Sequence, residues 1–297
     1  MNDPTLADPV QRIRALSLWR GAVSPERLEG GLSNQNFLVR DGTESYVVRC
    51  IGGDDPAHGI VRDREVAVSR AAHRAGIAPE LVLAEAGLLV LRFVPGRALG
   101  EDDLRSPAML ARVAELLRSC HRDVAAHLRG PAPCFWVFHA LRDYLAQLDV
   151  QGSLAGRTER LRRVVTRLER AVGPTRLALT HNDLMPGNFI DDGRRLWLID
   201  WEFAGFGAPL FDLASLAVDN GIDEAGQARL LAFYFGRPAG AALLRRFAAM
   251  VIAAELREAL WARIQQIHGK VLFDYAGYGE KHEARFERAY AVFSQDR

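Results

Sequence analysis

Short β-rich runs at 36–40 and 45–51 flank Asp41-Gly42, a turn dipeptide that predicts a hairpin. Residues 61–75 follow with helical spacing and reach Gly76, a candidate helix C-cap. Apolar runs at 81–84 and 88–94 lie either side of Ala86-Gly87 and predict a second hairpin, after which Pro95-Gly96 interrupts the chain. Beyond about 107 the period changes. Met109, Leu110, Val113, Leu116 and Leu117 repeat as one face of a helix over 108–121. Residues 137–149, 157–172, 209–219, 225–235 and 239–268 read as helices too, whereas 176–200 places two apolar runs around Asp191-Asp192-Gly193. The pattern predicts a bilobal α+β protein with a sheet-rich part at 1–94 and a helical part at 95–297, with a cleft between them.

Composition narrows the function classes. Of 297 residues, 49% are hydrophobic and 25% charged, and the formal net charge is +1, so nothing in the bulk charge favours nucleic acid or an anionic membrane. Arginines alternate with acidic residues along 156–170 and read as a solvated face. Cys50, Cys120 and Cys134 have no metal-ligand spacing and are expected to be reduced and mostly buried. No apolar run approaches a membrane span, and Met1 to Leu6 lacks a basic segment leading into an apolar one. The expected location is the cytoplasm, and the oligomeric state is open.

The densest chemistry lies in 178–202. Asp183 is followed five positions on by Asn188, and Asp200 closes the apolar run Leu196-Trp197-Leu198-Ile199. Phosphoryl transfer from ATP needs such a set: a carboxylate to orient the attacking hydroxyl and oxygens to hold Mg²⁺ on the phosphates. Asn, Asp, Pro and Gly also make ordinary turns. The strand-like run that delivers Asp200 toward a cleft favours the catalytic interpretation.

His181-Asn182-Asp183 with Asn188, then Ile199-Asp200-Trp201-Glu202, resembles the catalytic and metal-binding loops of the choline/ethanolamine kinase family. That family shares the aminoglycoside phosphotransferase fold, which is protein-kinase-like. By this resemblance His181 steadies the loop, Asp183 is the catalytic carboxylate, and Asn188 and Asp200 bind Mg²⁺. Asp212, in Leu210-Phe211-Asp212, resembles the buried Asp that supports the loop, although an Asp there can also be a helix cap. Glu29-Gly30-Gly31-Leu32-Ser33-Asn34 resembles the family's phosphate loop, where Gly31, Ser33 and Asn34 would approach the nucleotide. Arg49 stands at the strand position usually held by Lys, with Glu65 as its expected helix partner; a solvated surface pair is the alternative. Backbone groups of Arg92, Phe93 and Val94 would meet the adenine edge.

The resemblance implies choline, or ethanolamine, as the acceptor. A quaternary ammonium has no N–H, so its site relies on aromatic faces and carboxylates. Ala253, Leu256, Leu260, Ile264, Ile267 and Val271 form an apolar stripe, and Glu258, Trp261 and Gln265 share an adjacent face. Phe273, Tyr275 and Tyr278 follow, resembling the family's aromatic segment, with Trp261 and Tyr278 as the leading cage residues and Glu202 as a carboxylate near the acceptor. Aromatic residues so spaced also build cores. Met185 stands where eukaryotic members tend to have Gln, so their acceptor contacts do not transfer directly. Thiamine, an amino sugar or an aminoglycoside is the alternative acceptor, and a silent ATP-fold binding protein the alternative class. Residues 123–175 carry no motif.

Overall fold

The computed structural model describes residues 8–28, 34–52, 60–130, 134–154, 156–268 and 273–295. A short α1 (Pro9–Arg14) precedes β1 (Glu26–Leu28), β2 (Gln35–Asp41), β3 (Glu44–Cys50), α2 (Arg62–Arg74), β4 (Leu81–Glu85) and β5 (Leu88–Arg92). The five strands form one antiparallel sheet in the order β1-β2-β3-β5-β4. Strand alternation separates its faces. Tyr46, Val48, Leu88 and Val90 pack with Ile13 and Leu16 at the N-terminus, while Leu81, Leu89 and Leu91 pack with Val66 of α2. Both hairpins fall where expected, with Gly42 and Gly87 supplying the positive φ of their turns (63° and 78°).

After β6 (Arg97–Ala98) come α3 (Glu101–Arg105), α4 (Pro107–His127), α5 (Val137–Val150) and α6 (Thr158–Val172). Three short strands then surround the motif region: β7 (Ala178–Thr180), β8 (Phe189–Asp191) and β9 (Leu196–Leu198), with a 3₁₀ turn at Pro186–Asn188. β10 (Gly205–Gly207), α7 (Pro209–Asp219), α8 (Glu224–Phe235), α9 (Ala241–His268) and α10 (Tyr275–Gln295) complete the chain. β7 pairs with β10, and β8 joins β6 to β9. The main core lies among the helices, with α9 at its centre between α5, α6, α7 and α10. Among the described residues no helix is long and apolar enough to cross a membrane.

Residues 252–260 of α9 are all buried, so this stretch has no solvent face to carry charge. It nevertheless contains Glu255, Arg257 and Glu258, and buried charges must be paired. The amphipathic helices behave more simply. α4 runs from 107 to 127, six residues beyond the expected end at 121, because its apolar face continues through Val124.

Three expectations are corrected. Only Cys120 is buried; Cys50 is partly exposed and Cys134 exposed. Ile267 is 42% exposed, because α9 has left the core by its last turn; Val271 lies outside the described residues. The arginines near 156–170 are not simply solvated. Arg157 and Arg160 cross to Glu283 and Glu287 of α10.

Gly207 lets the β10 backbone approach β7 closely. A Cβ there would sit 2.7 Å from Phe135 O and 2.7 Å from Thr180 Oγ1. Gly207→Ala is therefore expected to destabilise the fold by about 1–3 kcal/mol, measured by denaturant unfolding. Wild-type stability in that variant would show that the contact relaxes freely.

Candidate active site

β7 ends at Thr180, and the chain then enters a loop held from below by one carboxylate. Asp212, fully buried in the first turn of α7, accepts the backbone N–H of His181 (2.8 Å) and of Asn182 (2.7 Å). It also accepts His121 Nε2 at 2.8 Å, and His121 Nδ1 meets the Tyr234 hydroxyl at 2.7 Å. Asp212 is thus a loop anchor rather than a helix cap. His181 Nε2 lies 2.9 Å from the Ile199 carbonyl, which ties the loop to the segment just before Asp200. Burial holds the His181 imidazole below its ordinary pKa, so it serves as a neutral strut.

Among the described residues only Asn182 and Asp200 combine a side chain with positive φ, at 68° and 67°. Left-handed backbone costs about 1 kcal/mol or more outside glycine and gathers at functional sites. Here the two turns bracket Asp183 and aim the chain out of β7 and β9. Asn182 is held in that conformation by its amide, which donates to Phe203 O at 2.9 Å.

Asp183, Asn188 and Asp200 come together. Asn188 Nδ2 donates to the Asp183 carbonyl at 2.9 Å and to its Oδ2 at 3.3 Å. Burial, reinforced by the Asp200 charge, pushes the Asp183 carboxyl up to about 7, with Arg257 pulling the other way. Asp200 Oδ1 accepts Arg49 Nη2 at 2.7 Å. Arg49 also faces Glu65 at 3.4 Å, both side chains being buried, so this is no solvated surface pair. Burial opposes its charge, but Asp200, Glu65 and Glu202 together hold the guanidinium protonated. Arg62 bridges Glu65 (2.7 Å) and Glu202 (2.9 Å). Burial and then Asp200 push the Glu202 carboxyl up to about 7. Glu202 therefore stands in the Arg49–Glu65–Arg62 network.

A second cluster forms where α9 meets the start of α10. Trp261 packs edge-on to Tyr275 and Tyr278, with ring centroids 5.8 and 6.0 Å apart. Phe273 lies 5.0 and 5.7 Å from the same two tyrosine rings. The Tyr278 hydroxyl donates to Glu258 Oε2 at 2.9 Å. After burial, Asp200 and Arg257, the Glu258 charge is a further influence on the Asp183 carboxyl.

The nucleotide side is less complete. Gly31 and Ser33 lie outside the described residues. Asn34 has a buried Oδ1 with no partner. The N–H of Arg92 donates to Glu80 O and that of Phe93 to Ser45 O, at 2.8 and 2.9 Å. An adenine edge at 92–94 would thus have to use the Val94 N–H or the carbonyls, since two of the donors are already paired within the sheet.

Among the described residues no group of three or more His, Cys, Asp or Glu is placed to hold a metal ion. Asp200 and Asn188 instead offer one carboxylate and one amide oxygen, the Asn188 nitrogen being already engaged. Such a pair fits Mg²⁺, which usually takes one or two protein oxygens and completes its shell with phosphates and water.

Residues 24–250 match the phosphotransferase enzyme family. The chain belongs to that family. Protein LicA of Haemophilus influenzae is 25% identical over 259 residues, which cover 83% of this chain and 75% of that protein. Ethanolamine kinase 2 of Mus musculus is 25% identical over 286 residues, covering 86% and 73%. A solved choline/ethanolamine kinase family protein from Mesorhizobium loti is similar at TM-score 0.72 and 26% identity, over 94% of this chain and 92% of that one. LicA in complex with AMP is similar at TM-score 0.76 and 25% identity, over 96% and 97%. This phosphotransferase has the protein-kinase-like fold, with its sheet-rich lobe first and its helical lobe second.

Three groups escaped the sequence. Arg62 sits three residues before Glu65, the spacing of an ion pair on one helix face. Arg257 precedes Glu258 inside the buried stretch of α9, and that charged pair among small and apolar residues was itself a signal. Asp219 lies two turns after Asp212 on α7, with Ser215 donating to it at 2.7 Å. Burial and then Glu258 push its carboxyl well above the ordinary range.

Proposed function

We propose that this phosphotransferase moves the γ-phosphoryl group of ATP to the hydroxyl of choline or ethanolamine. One observation carries the reading: Trp261, Tyr275 and Tyr278 form one ring cluster whose Tyr278 hydroxyl donates to Glu258, a carboxylate whose charge also reaches Asp183 through space. A cationic head among those rings, with Asp219 and Glu258 nearby, would leave its hydroxyl free to reach Asp183. The relatives described as choline/ethanolamine and ethanolamine kinases support the acceptor class. The AMP complex of LicA supports an adenine nucleotide as donor.

In this reading residues 1–94 receive the nucleotide, and 95–297 provide the reacting groups and the acceptor pocket. Asp183 accepts a hydrogen bond from the acceptor hydroxyl and takes its proton as the oxygen attacks phosphorus. Asn188 and Asp200 would hold Mg²⁺, which when bound neutralises phosphate charge. Arg49, steadied by Glu65, balances the charge that develops on ADP as it leaves. Glu202 and Arg62 keep Glu65 and Arg49 in place. His181 and Asp212 hold the loop rigid.

The test is a panel of alcohols with ATP: choline, ethanolamine, thiamine and an aminoglycoside, with ADP release measured. Choline or ethanolamine should give the highest kcat/KM. Strong turnover of the aminoglycoside alone would overturn the acceptor assignment. Trp261→Ala should raise the acceptor KM about 10-fold or more, the loss of a desolvated cation–π contact, and leave the ATP KM nearly unchanged. An equal change in both would assign Trp261 to packing.

A further inference from the structure

Both oxygens of the Glu258 carboxylate are already engaged. Oε1 accepts Arg257 Nη1 at 2.7 Å, and Oε2 accepts the Tyr278 hydroxyl at 2.9 Å. Arg257 is only 5% exposed, and its guanidinium lies 5.3 Å from the Phe203 ring centroid and 5.8 Å from that of Phe135. Its Nε is buried without a partner. Desolvating a guanidinium is expensive, and an orphaned N–H adds to the cost. Glu258 supplies the compensating charge, with Asp183 and Asp219 contributing through space. From an acceptor's position, Glu258 is therefore a neutralised carboxylate, and its strongest lone pairs serve Arg257 and Tyr278.

Tyr278 is the other end of this chain. Its ring contacts Trp261 (6.0 Å) and Phe273 (5.7 Å) and is backed by His282 at 4.4 Å. A tyrosine in a partly exposed pocket wall would ordinarily sample more than one orientation. A charge-assisted hydrogen bond to a carboxylate that is itself pinned by a buried arginine selects one of them.

We propose that Arg257 and Glu258 are positioning residues that fix the Tyr278 ring in the acceptor pocket, and that Glu258 does not itself bind the acceptor's cationic head. This rests on the reading of the Trp261–Tyr278 cluster as the acceptor pocket. It deepens that reading by separating the groups that touch the acceptor from those that shape its wall. Charge recognition then falls to the ring faces.

The experiment compares choline with 3,3-dimethylbutan-1-ol, its neutral isostere, in Glu258→Gln, Tyr278→Phe and the double variant. Positioning predicts that Glu258→Gln raises the choline KM about 10-fold for one charge-assisted hydrogen bond, and that of the neutral alcohol in the same ratio to it as Tyr278→Phe does, with kcat at saturation little changed. Tyr278→Phe should match it, and the double variant should be no worse than either. A choline-selective loss in Glu258→Gln that Tyr278→Phe does not share, and that adds to it in the double variant, would overturn the proposal. Should Glu258→Gln fail to fold, Tyr278→Phe still decides. Positioning predicts a loss of choline affinity, whereas a direct ligand freed from its tyrosine would bind choline more tightly. If the wild-type protein phosphorylates neither alcohol, ethanolamine and propan-1-ol replace them in the comparison; if ethanolamine fails as well, the amino-alcohol reading fails by itself. Near-UV circular dichroism then tests the positioning: Tyr278→Phe should alter the aromatic signal beyond the loss of one phenol, in the same sense as Arg257→Met, and a simple subtraction would contradict it.

Discussion

Asp183→Asn lowers turnover by about 10²–10⁴-fold, the usual contribution of a positioned general base. The reasoning is geometric first. Asn keeps the size and shape of Asp183, and its amide oxygen can still accept from Asn188, now 3.3 Å from the carboxylate Oδ2. It cannot take a proton from an alcohol. The fold should not suffer, because the wild-type carboxylate is held against its own solvation. Burial and the Asp200 charge push it up to about 7, and a neutral amide escapes both effects. Steady-state kinetics with ATP and the preferred alcohol, together with thermal unfolding, check both halves. Near-normal kcat would remove Asp183 from the reaction; a collapsed unfolding temperature would make it a structural residue.

The second large effect concerns stability. Asp212→Ala leaves the N–H groups of His181 and Asn182 and the His121 ring without their buried acceptor. Each unsatisfied donor costs about 1–3 kcal/mol, so a loss on the order of 3–5 kcal/mol is expected once some relaxation is allowed. For a chain of this size that lowers the unfolding temperature by roughly 10 °C. Activity should fall as well, since the same two N–H groups fix the loop that carries Asp183. Asp212→Asn should lie between, because its amide keeps one acceptor and turns a donor toward donors. An unfolding temperature within 2 °C or so of wild type in Asp212→Ala, a shift small on this scale, would mean that water replaces the carboxylate.

Much of this was legible in the sequence because each signal was local. The Asp41-Gly42 and Gly87 turns gave the N-terminal hairpins, and periodicity gave the middle of every long helix through α9. α10 was not anticipated at all, since Gly277 and Gly279 weaken the helical pattern at its start. Gly279 is there because α10 crosses α9 closely: a Cβ would lie 3.1 Å from that of Ala262. Asp274, whose Oδ1 accepts the Gly277 N–H at 2.9 Å, was the cap that could have announced the helix. β6 and β10 were beyond reach for another reason. They are two and three residues long and exist only because β8 and β7 offer them partners.

The site divides the same way. Asp183, Asn188 and Asp200 could be found because their spacing is short and their residue types are chemical. Arg257, Asp219 and Arg62 could not, since each matters through a partner that folding brings alongside. Glu258 shows the intermediate case. Its place beside Trp261 and Tyr278 was anticipated, but its two engaged oxygens were not.

Phosphoryl transfer from ATP to an amino alcohol is tested most directly by ³¹P NMR of wild-type protein incubated with Mg·ATP and choline, then with ethanolamine. A new phosphomonoester resonance is expected from at least one of them, growing in equal proportion to ADP and absent with Asp183→Asn. ATP left intact with both alcohols, or ADP accompanied only by inorganic phosphate, would contradict it.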